Sequence, residues 1–371
     1  MREPLQPTVL PRRFSDLPPL HGRLGGEPEH FVVEERLAYE PCGTGEHLYL
    51  WVEKRDLTTH EAIRRLAHFL DRPTHSFGIA GLKDRRAVTR QWISVERVEP
   101  ERLHGWTING VRVMTAIPHQ HKLRLGHAKG NRFVLTLEGL EAAETLRLQQ
   151  MLERLSRFGM PNAYGPQRFG RGGASLRAGF ALLRRDEAAF LRETGRPVER
   201  TERRLRSLLL SALQSEAFNR VLCRRLNELD TVELGDVAYL HSKGAAFIVE
   251  DLAREQTRAE RCEISASGPI PGTHLLQGHG RPRKIEDQVL EELGAMPSAF
   301  EDLPAGLEAR GARRPLRVFP EELRLEVLGD GNAQLQFALP TGSYATVLLA
   351  ELLDSAARAP LEGEEGPIGD G

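Results

Sequence analysis

The C-terminal part of the chain most restricts what it can fold into. Residues 323–328 and 334–339 read as strands, and the turn residues Gly329, Asp330, Gly331 and Asn332 lie between them. That pattern predicts a β-hairpin, followed by a helix from about Tyr344. A hairpin and one short helix cannot bury a core in water. The hairpin must therefore complete a sheet begun elsewhere. The simplest expectation is a discontinuous domain of residues 1–158 and 319–371, with residues 159–318 inserted as a second α/β domain. At 371 residues, 40% hydrophobic and 28% charged, the chain can supply two ordinary cores.

The N-terminal third alternates strand and helix signals. Residues 31–35 and 47–53 read as strands joined through the turn-rich EPCGTGE, and the pair is expected to form a hairpin. Thr58 and Glu61 then form a capping box, and Ile63, Leu66, Ala67 and Leu70 recur at helical spacing up to Pro73. Further strands are expected at 91–95, 111–116 and 132–137, and a helix is outlined by Leu146, Leu148, Met151, Leu152 and Leu155. Sheet with covering helices defines an α+β fold with a mixed, largely antiparallel sheet. From about Gly159 the string PNAYGPQRFGRGG marks an irregular loop opening the second unit. That unit holds a long helical pattern through Leu205, Leu208, Leu209, Ala212, Leu213, Phe218, Val221 and Leu222, then short strands near 236–240 and 245–249.

Composition excludes several classes. No apolar run approaches the roughly 20 residues of a membrane span, and the N-terminus lacks the apolar core of a signal peptide, so a soluble, cytoplasmic protein is expected. Cys42, Cys223 and Cys262 are too dispersed for a disulfide framework or a CxxC motif. Neither GxGxxG nor a P-loop follows a strand, and GRGG at 170–173 does not replace them. His119 and His121 form HxH without a suitably spaced third ligand, and no GxSxG elbow is present.

Charge is sorted along the chain although the formal net value is only -1. Residues 119–132 carry Lys122, Arg124, Lys129, Arg132 and three histidines without an acid; from Arg154 to Arg185 there are seven arginines, again without one. The tail after Glu351 is acidic. Such blocks suit a cationic cleft that tracks phosphates, with a solvated face as the weaker alternative. Arginine outnumbers lysine 45 to 6, which also admits a genomic origin.

What remains for chemistry is the loop Gly81 to Trp92, GLKDRRAVTRQW, which sets Asp84 among Lys83, Arg85 and Arg86 between strand-like flanks. An aspartate of ordinary acidity is ionised at pH 7 and cations beside it keep it so, which makes it a nucleophile or base rather than a proton donor. Phe31, Asn131, Phe133 and Tyr344 have the chemistry of a base pocket: rings to stack on, and an amide that matches the donor and acceptor edge of uracil. Each also has a plain structural role. Phe133 alternates with Leu135 and Leu137 as a core residue would, Asn131 follows a glycine as a turn residue would, and Tyr344 opens a helix.

Seven strings in order, PEHFVVEE, EPCGTGEH, AGLKDRRAVTRQW, HKLRLGHAKGNRF, PNAYGPQRFG, SALQSEAFNRVL and LPTGSYAT, resemble the TruD family of tRNA pseudouridine synthases. The resemblance runs from residue 28 to 346. It implies that Asp84 is the nucleophile, that Phe31, Asn131 and Tyr344 contact substrate, and that Phe133 lies against the target base. It further implies isomerisation of uridine to pseudouridine at position 13 of tRNA, on a flipped-out base, with no metal or redox cofactor; a protein partner is not implied. Lys83, Arg85 and Arg86 become candidates for holding Asp84, and Lys122, Lys129 and Arg168 for contacting RNA along a cleft between the domains. The chain departs from the family pattern in carrying Tyr344 where phenylalanine is common, and AYG where YFG is typical. A pseudouridine synthase for another RNA or position, and an RNA-binding protein without catalysis, are the competing readings; the intact Asp84 speaks against the last.

Overall fold

The computed structural model describes residues 5–103 and 105–354; the acidic tail beyond 354 lies outside them. In chain order the principal elements are β1 (Phe31–Leu37), β2 (His47–Arg55), α1 (Thr59–Leu70), β3 (Val88–Glu96), β4 (Val111–His119), β5 (Ala128–Glu138) and α2 (Ala142–Phe158). There follow α3 (Ala174–Leu183), α4 (Arg203–Arg224), β6 (Val237–Leu240), β7 (Ala245–Ile248), β8 (Ile264–Ile270), α5 (Gly280–Glu292) and β9 (Ala312–Pro315). The last are β10 (Glu321–Gly329), β11 (Asn332–Pro340) and α6 (Ala345–Leu352).

Contacts group the chain into two compact units. The sheet unit, Leu20–Leu152 with Pro320–Ala345, is built on strands in the order β10-β11-β5-β1-β3-β2-β4. Two-residue strands Arg23–Leu24, Gly78–Ile79 and Thr107–Ile108 complete its ten. Every pair is antiparallel except β1 with β3. The C-terminal hairpin does return to this sheet: β11 pairs with β5 from Ala333↔Leu137 to Pro340↔Gly130. Its turn needs the residues it has, since Gly329, Asp330 and Gly331 all carry positive φ.

The expected hairpin of strands 31–35 and 47–53 is not formed, because β3 lies between β1 and β2. The connection of residues 38–46 is too long for a tight turn, and β1 takes β3 as a parallel neighbour through the crossover that β2 and α1 provide. Helix α1 starts where expected: Thr58 accepts from Glu61 N–H while Glu61 reaches back to the Thr58 N–H. Ala62, Ile63, Leu66, Ala67 and Leu70 then pack on Leu48, Leu50 and Val52 of β2 and Ile93 and Val95 of β3. In α2, Leu148, Met151, Leu152 and Leu155 are buried, but Leu146 faces solvent.

The second unit comprises described residues 5–19, 153–319 and 346–354. One core joins α3, α4 and α5, and another lies on the antiparallel sheet β7-β6-β8-β9. The sequence division at 158/159 and 318/319 differs from these units at both chain ends. Arg13 ties the N-terminal segment to that unit through the Phe158 carbonyl at 2.7 Å and Asp230 at 3.0 Å, and the buried Glu351 carboxylate of α6 accepts the Arg13 N–H at 2.9 Å, while Arg12 Nε donates to the Glu351 carbonyl at 2.9 Å. Burial pushes the Glu351 carboxyl up from its ordinary acidity, against the pull of those donors.

Candidate active site

The loop of residues 80–87 leaves the edge strand Gly78–Ile79 and feeds β3, and a polar network beneath it fixes its course. Lys54, at the inward-facing end of β2, is buried; its ammonium donates to the carbonyls of Leu57 at 2.5 Å and Asp84 at 2.7 Å. Lys83 N–H donates to the Thr59 hydroxyl at 3.0 Å, and that hydroxyl donates to Gln91 Oε1 at 2.8 Å. The Lys83 ammonium donates to Glu35 Oε1 at 2.6 Å, and Glu35 Oε2 accepts Trp92 N–H at 3.0 Å. These two side chains are 6% and 0% exposed.

Asp84, Arg85 and Arg86 are exposed, and none forms an ion pair among the described residues. Lys83 forms no ion pair with Asp84 among the described residues. Its ammonium is paired with Glu35, and the backbone links that contact to Asp84.

Phe31, Asn131 and Phe133 come together on one face of the sheet. Across β1 and β5, Phe31 pairs with Leu135, Val33 with Phe133 and Glu35 with Asn131, which places their side chains on the same side. The Phe31 and Phe133 rings meet edge to face at 6.3 Å, and Phe133 stacks on Phe337 of β11 at 5.2 Å. Both Phe31 and Phe133 are buried, so here they pack the sheet face. Asn131 differs: its Oδ1 is buried without a hydrogen-bond partner among the described residues. An orphaned buried acceptor costs about 1 to 3 kcal/mol.

Tyr344 sits between β11 and α6, half-buried. Its turn is tied to the start of β5, where Thr341 N–H donates to the Lys129 carbonyl at 3.1 Å and the Thr341 hydroxyl to that of Ala128 at 2.8 Å. Lys129 is exposed, whereas Lys122 is engaged with the His75 carbonyl at 2.7 Å. Arg168 belongs to the other unit and is held by the hydroxyls of Ser211 and Ser215 on α4, with its guanidinium 5.7 Å from the Tyr164 ring centroid.

His119 and His121 do not make a metal centre: no group of three or more His, Cys, Asp or Glu among the described residues could hold an ion. The His119 ring stacks on Tyr39 at 5.2 Å and accepts from Cys42 N–H, and burial pulls its pKa below the usual value. The three cysteines are unpaired, and no described helix is long and apolar enough to cross a membrane.

Sequence reasoning missed Glu35 and Lys54. Both were signalled by parity: Glu35 follows Phe31 and Val33, and Lys54 follows Leu48, Leu50 and Val52, at inward positions of alternating strands.

This architecture has a solved counterpart. The structure of the TruD protein from Methanosarcina mazei superposes with a TM-score of 0.75 at 23% identity, covering 93% of this chain and 96% of that one. The fold is thus that of the pseudouridine synthase D class. The family model "tRNA pseudouridine synthase D (TruD)" matches residues 12–197 and 192–352, and the chain belongs to this family. Among its relatives, tRNA pseudouridine synthase D of Thermus thermophilus is 41% identical over 98% of this chain and 97% of its own length. The protein of that name from Geotalea daltonii is 38% identical over 93% of this chain and all of its own.

Proposed function

We propose that this chain isomerises uridine to pseudouridine at position 13 of tRNA, with Asp84 as the nucleophile and without a metal or redox cofactor. Membership of the family supports the reaction and the substrate class. The observation that carries the assignment to Asp84 is its exposed carboxylate on a loop anchored from below by Lys54 and by the Glu35–Lys83 pair. In the reaction the glycosidic C–N bond breaks, the uracil turns, and C5 bonds to the ribose while the C5 proton is released and N1 gains one. A carboxylate can begin this by adding to the uracil, by adding to the ribose, or by removing a ribose proton. All three need the ionised form, and all gain when the bound RNA covers the carboxylate and strips its water.

The target base must leave the RNA stack to reach Asp84. The unsatisfied Asn131 Oδ1 offers an acceptor for the uracil N3–H, and Phe31, Phe133 and Tyr344 supply the surrounding rings. Lys129, with the exposed Arg85 and Arg86, is best placed to hold phosphate; Lys122 and Arg168, engaged by protein groups, are secondary candidates. tRNA is the partner and the cytoplasm the compartment, in keeping with three unpaired cysteines.

Tritium release from tRNA labelled at uracil C5 tests this. The intact chain is expected to release label from tRNA bearing U13 and not from tRNA in which U13 is replaced. Asp84→Asn is expected to lose at least about 10⁴-fold in rate while still binding tRNA. Release that survives in Asp84→Asn would remove Asp84 from this role.

A further inference from the structure

Glu35 lies one residue's reach from the proposed nucleophile without touching it. It belongs to β1, its side chain is fully buried, and both carboxylate oxygens are used, one by Trp92 N–H of β3 and one by the Lys83 ammonium of the loop. A buried charge that loses its only counter-charge is strongly destabilising, so the Glu35–Lys83 contact is not released cheaply.

That contact sets direction. Lys83 is the inward exception in an exposed stretch: Leu82 is 54% exposed, the Lys83 side chain is turned in, and Asp84, Arg85 and Arg86 are exposed after it. With the Lys83 side chain drawn down onto Glu35 and the Asp84 carbonyl turned in to Lys54, the Asp84 side chain is the part of that residue left to face solvent. The Lys54 ammonium fixes the height of the same peptide by holding the Asp84 carbonyl at 2.7 Å. Glu35 is also in register with Asn131 across β1 and β5. One rung of the sheet thus carries both the anchor of the nucleophile loop and the amide assigned to the base.

We propose that Glu35 is a positioning residue for the isomerisation: by holding Lys83 against the sheet, it fixes the direction in which Asp84 leaves the loop. The inference rests on the reading of Asp84 as nucleophile and goes beyond it, since it gives neither Glu35 nor Lys83 a contact with substrate. The step it governs is the approach of carboxylate to uridine, where a misplacement of about 1 Å costs on the order of 100-fold in rate.

The test uses the full-length chain and measures single-turnover tritium release at saturating tRNA, tRNA affinity and thermal unfolding for each variant. Glu35→Gln is expected to slow the saturated rate on the order of 100-fold with tRNA affinity unchanged. Glu35→Asp, which keeps the charge, recovers part of that loss. The double variant Glu35→Leu with Lys83→Met removes both buried charges; it is expected to regain thermal stability and remain slow. A double variant as fast as the intact chain would show the pair to be a stability element and overturn the proposal. So would a Glu35→Gln deficit confined to tRNA affinity or to the folded fraction. Asp84→Asn is run beside them. If it stays active, the nucleophile reading falls and the proposal with it. An inactive Asp84→Asn beside a fully active Glu35→Gln defeats the positioning role alone.

Discussion

Beneath the 80–87 loop one buried ion pair leaves Asp84, Arg85 and Arg86 exposed above it, whereas in the second unit many arginines are engaged by acids, hydroxyls or carbonyls of the same unit. Arg225, at the end of α4, is fully buried and grips Asp236 with both terminal nitrogens. Arg313 of β9 does the same to Glu286 of α5, at 2.9 and 2.6 Å. Of the acid-free run of arginines, Arg154 pairs with Asp16, Arg177 with Glu193, and Arg168 is held by serines. The two units teach that a cationic run in sequence is no measure of cationic surface. What decides is whether the fold brings an acid, a hydroxyl or a carbonyl to each guanidinium.

The contrast can be broken at its strongest point. Arg225→Met strands Asp236 in the core and is expected to cost about 3 to 5 kcal/mol in denaturant unfolding, with turnover per folded molecule unchanged. A fall in turnover beyond the folded fraction would mean that the second unit's charges serve more than its stability.

A smaller effect concerns His241, bonded to Ser265 in the same unit and pulled down to about 4 by burial and by the charge of Arg317. Its ring stays neutral in the fold where the unfolded chain protonates near 6.5. Its contribution is therefore complete above about pH 6.5 and is lost as pH falls toward about 4, with a slope of at most about 1.4 kcal/mol per pH unit. Unfolding measured across that window should flatten in His241→Gln; an unchanged slope would assign the acid sensitivity to carboxylates.

The smallest effect sharpens the comparison at the surface. Lys129→Glu should lower the salt dependence of tRNA binding by about one unit of slope and leave the melting temperature unchanged. Arg168→Glu should register first in the melting temperature, because it severs the bonds to Ser211 and Ser215. Equal behaviour of the two variants would erase the distinction between exposed and consumed charge.

Much of this architecture is legible in the sequence. The Thr58 capping box, the α4 stripe and the hairpin that ends the sheet all follow from local rules of capping, period and turn chemistry. The position of β3 between β1 and β2 does not, since strand order is set by which edges are left to pair. The candidate site divides the same way. The motif strings single out Asp84, and Glu35 was present as an acid at an inward position of PEHFVVEE, yet only the fold brings Lys83 to it. Lys83, read as a companion of Asp84 because they are adjacent, belongs instead to a residue 48 positions earlier.

The pairing of β11 with β5 has a consequence for synthesis. All the chain between residues 138 and 332 must be made before the far edge of β5, opposite Arg23–Leu24 and β1, is paired. At about 5 to 20 residues per second, the ribosome leaves that edge open for on the order of ten to forty seconds. Throughout this interval a finished strand carrying Asn131 and Phe133 offers unpaired amides to any extended segment nearby. The last hairpin of the chain thus closes the edge that has stayed open longest.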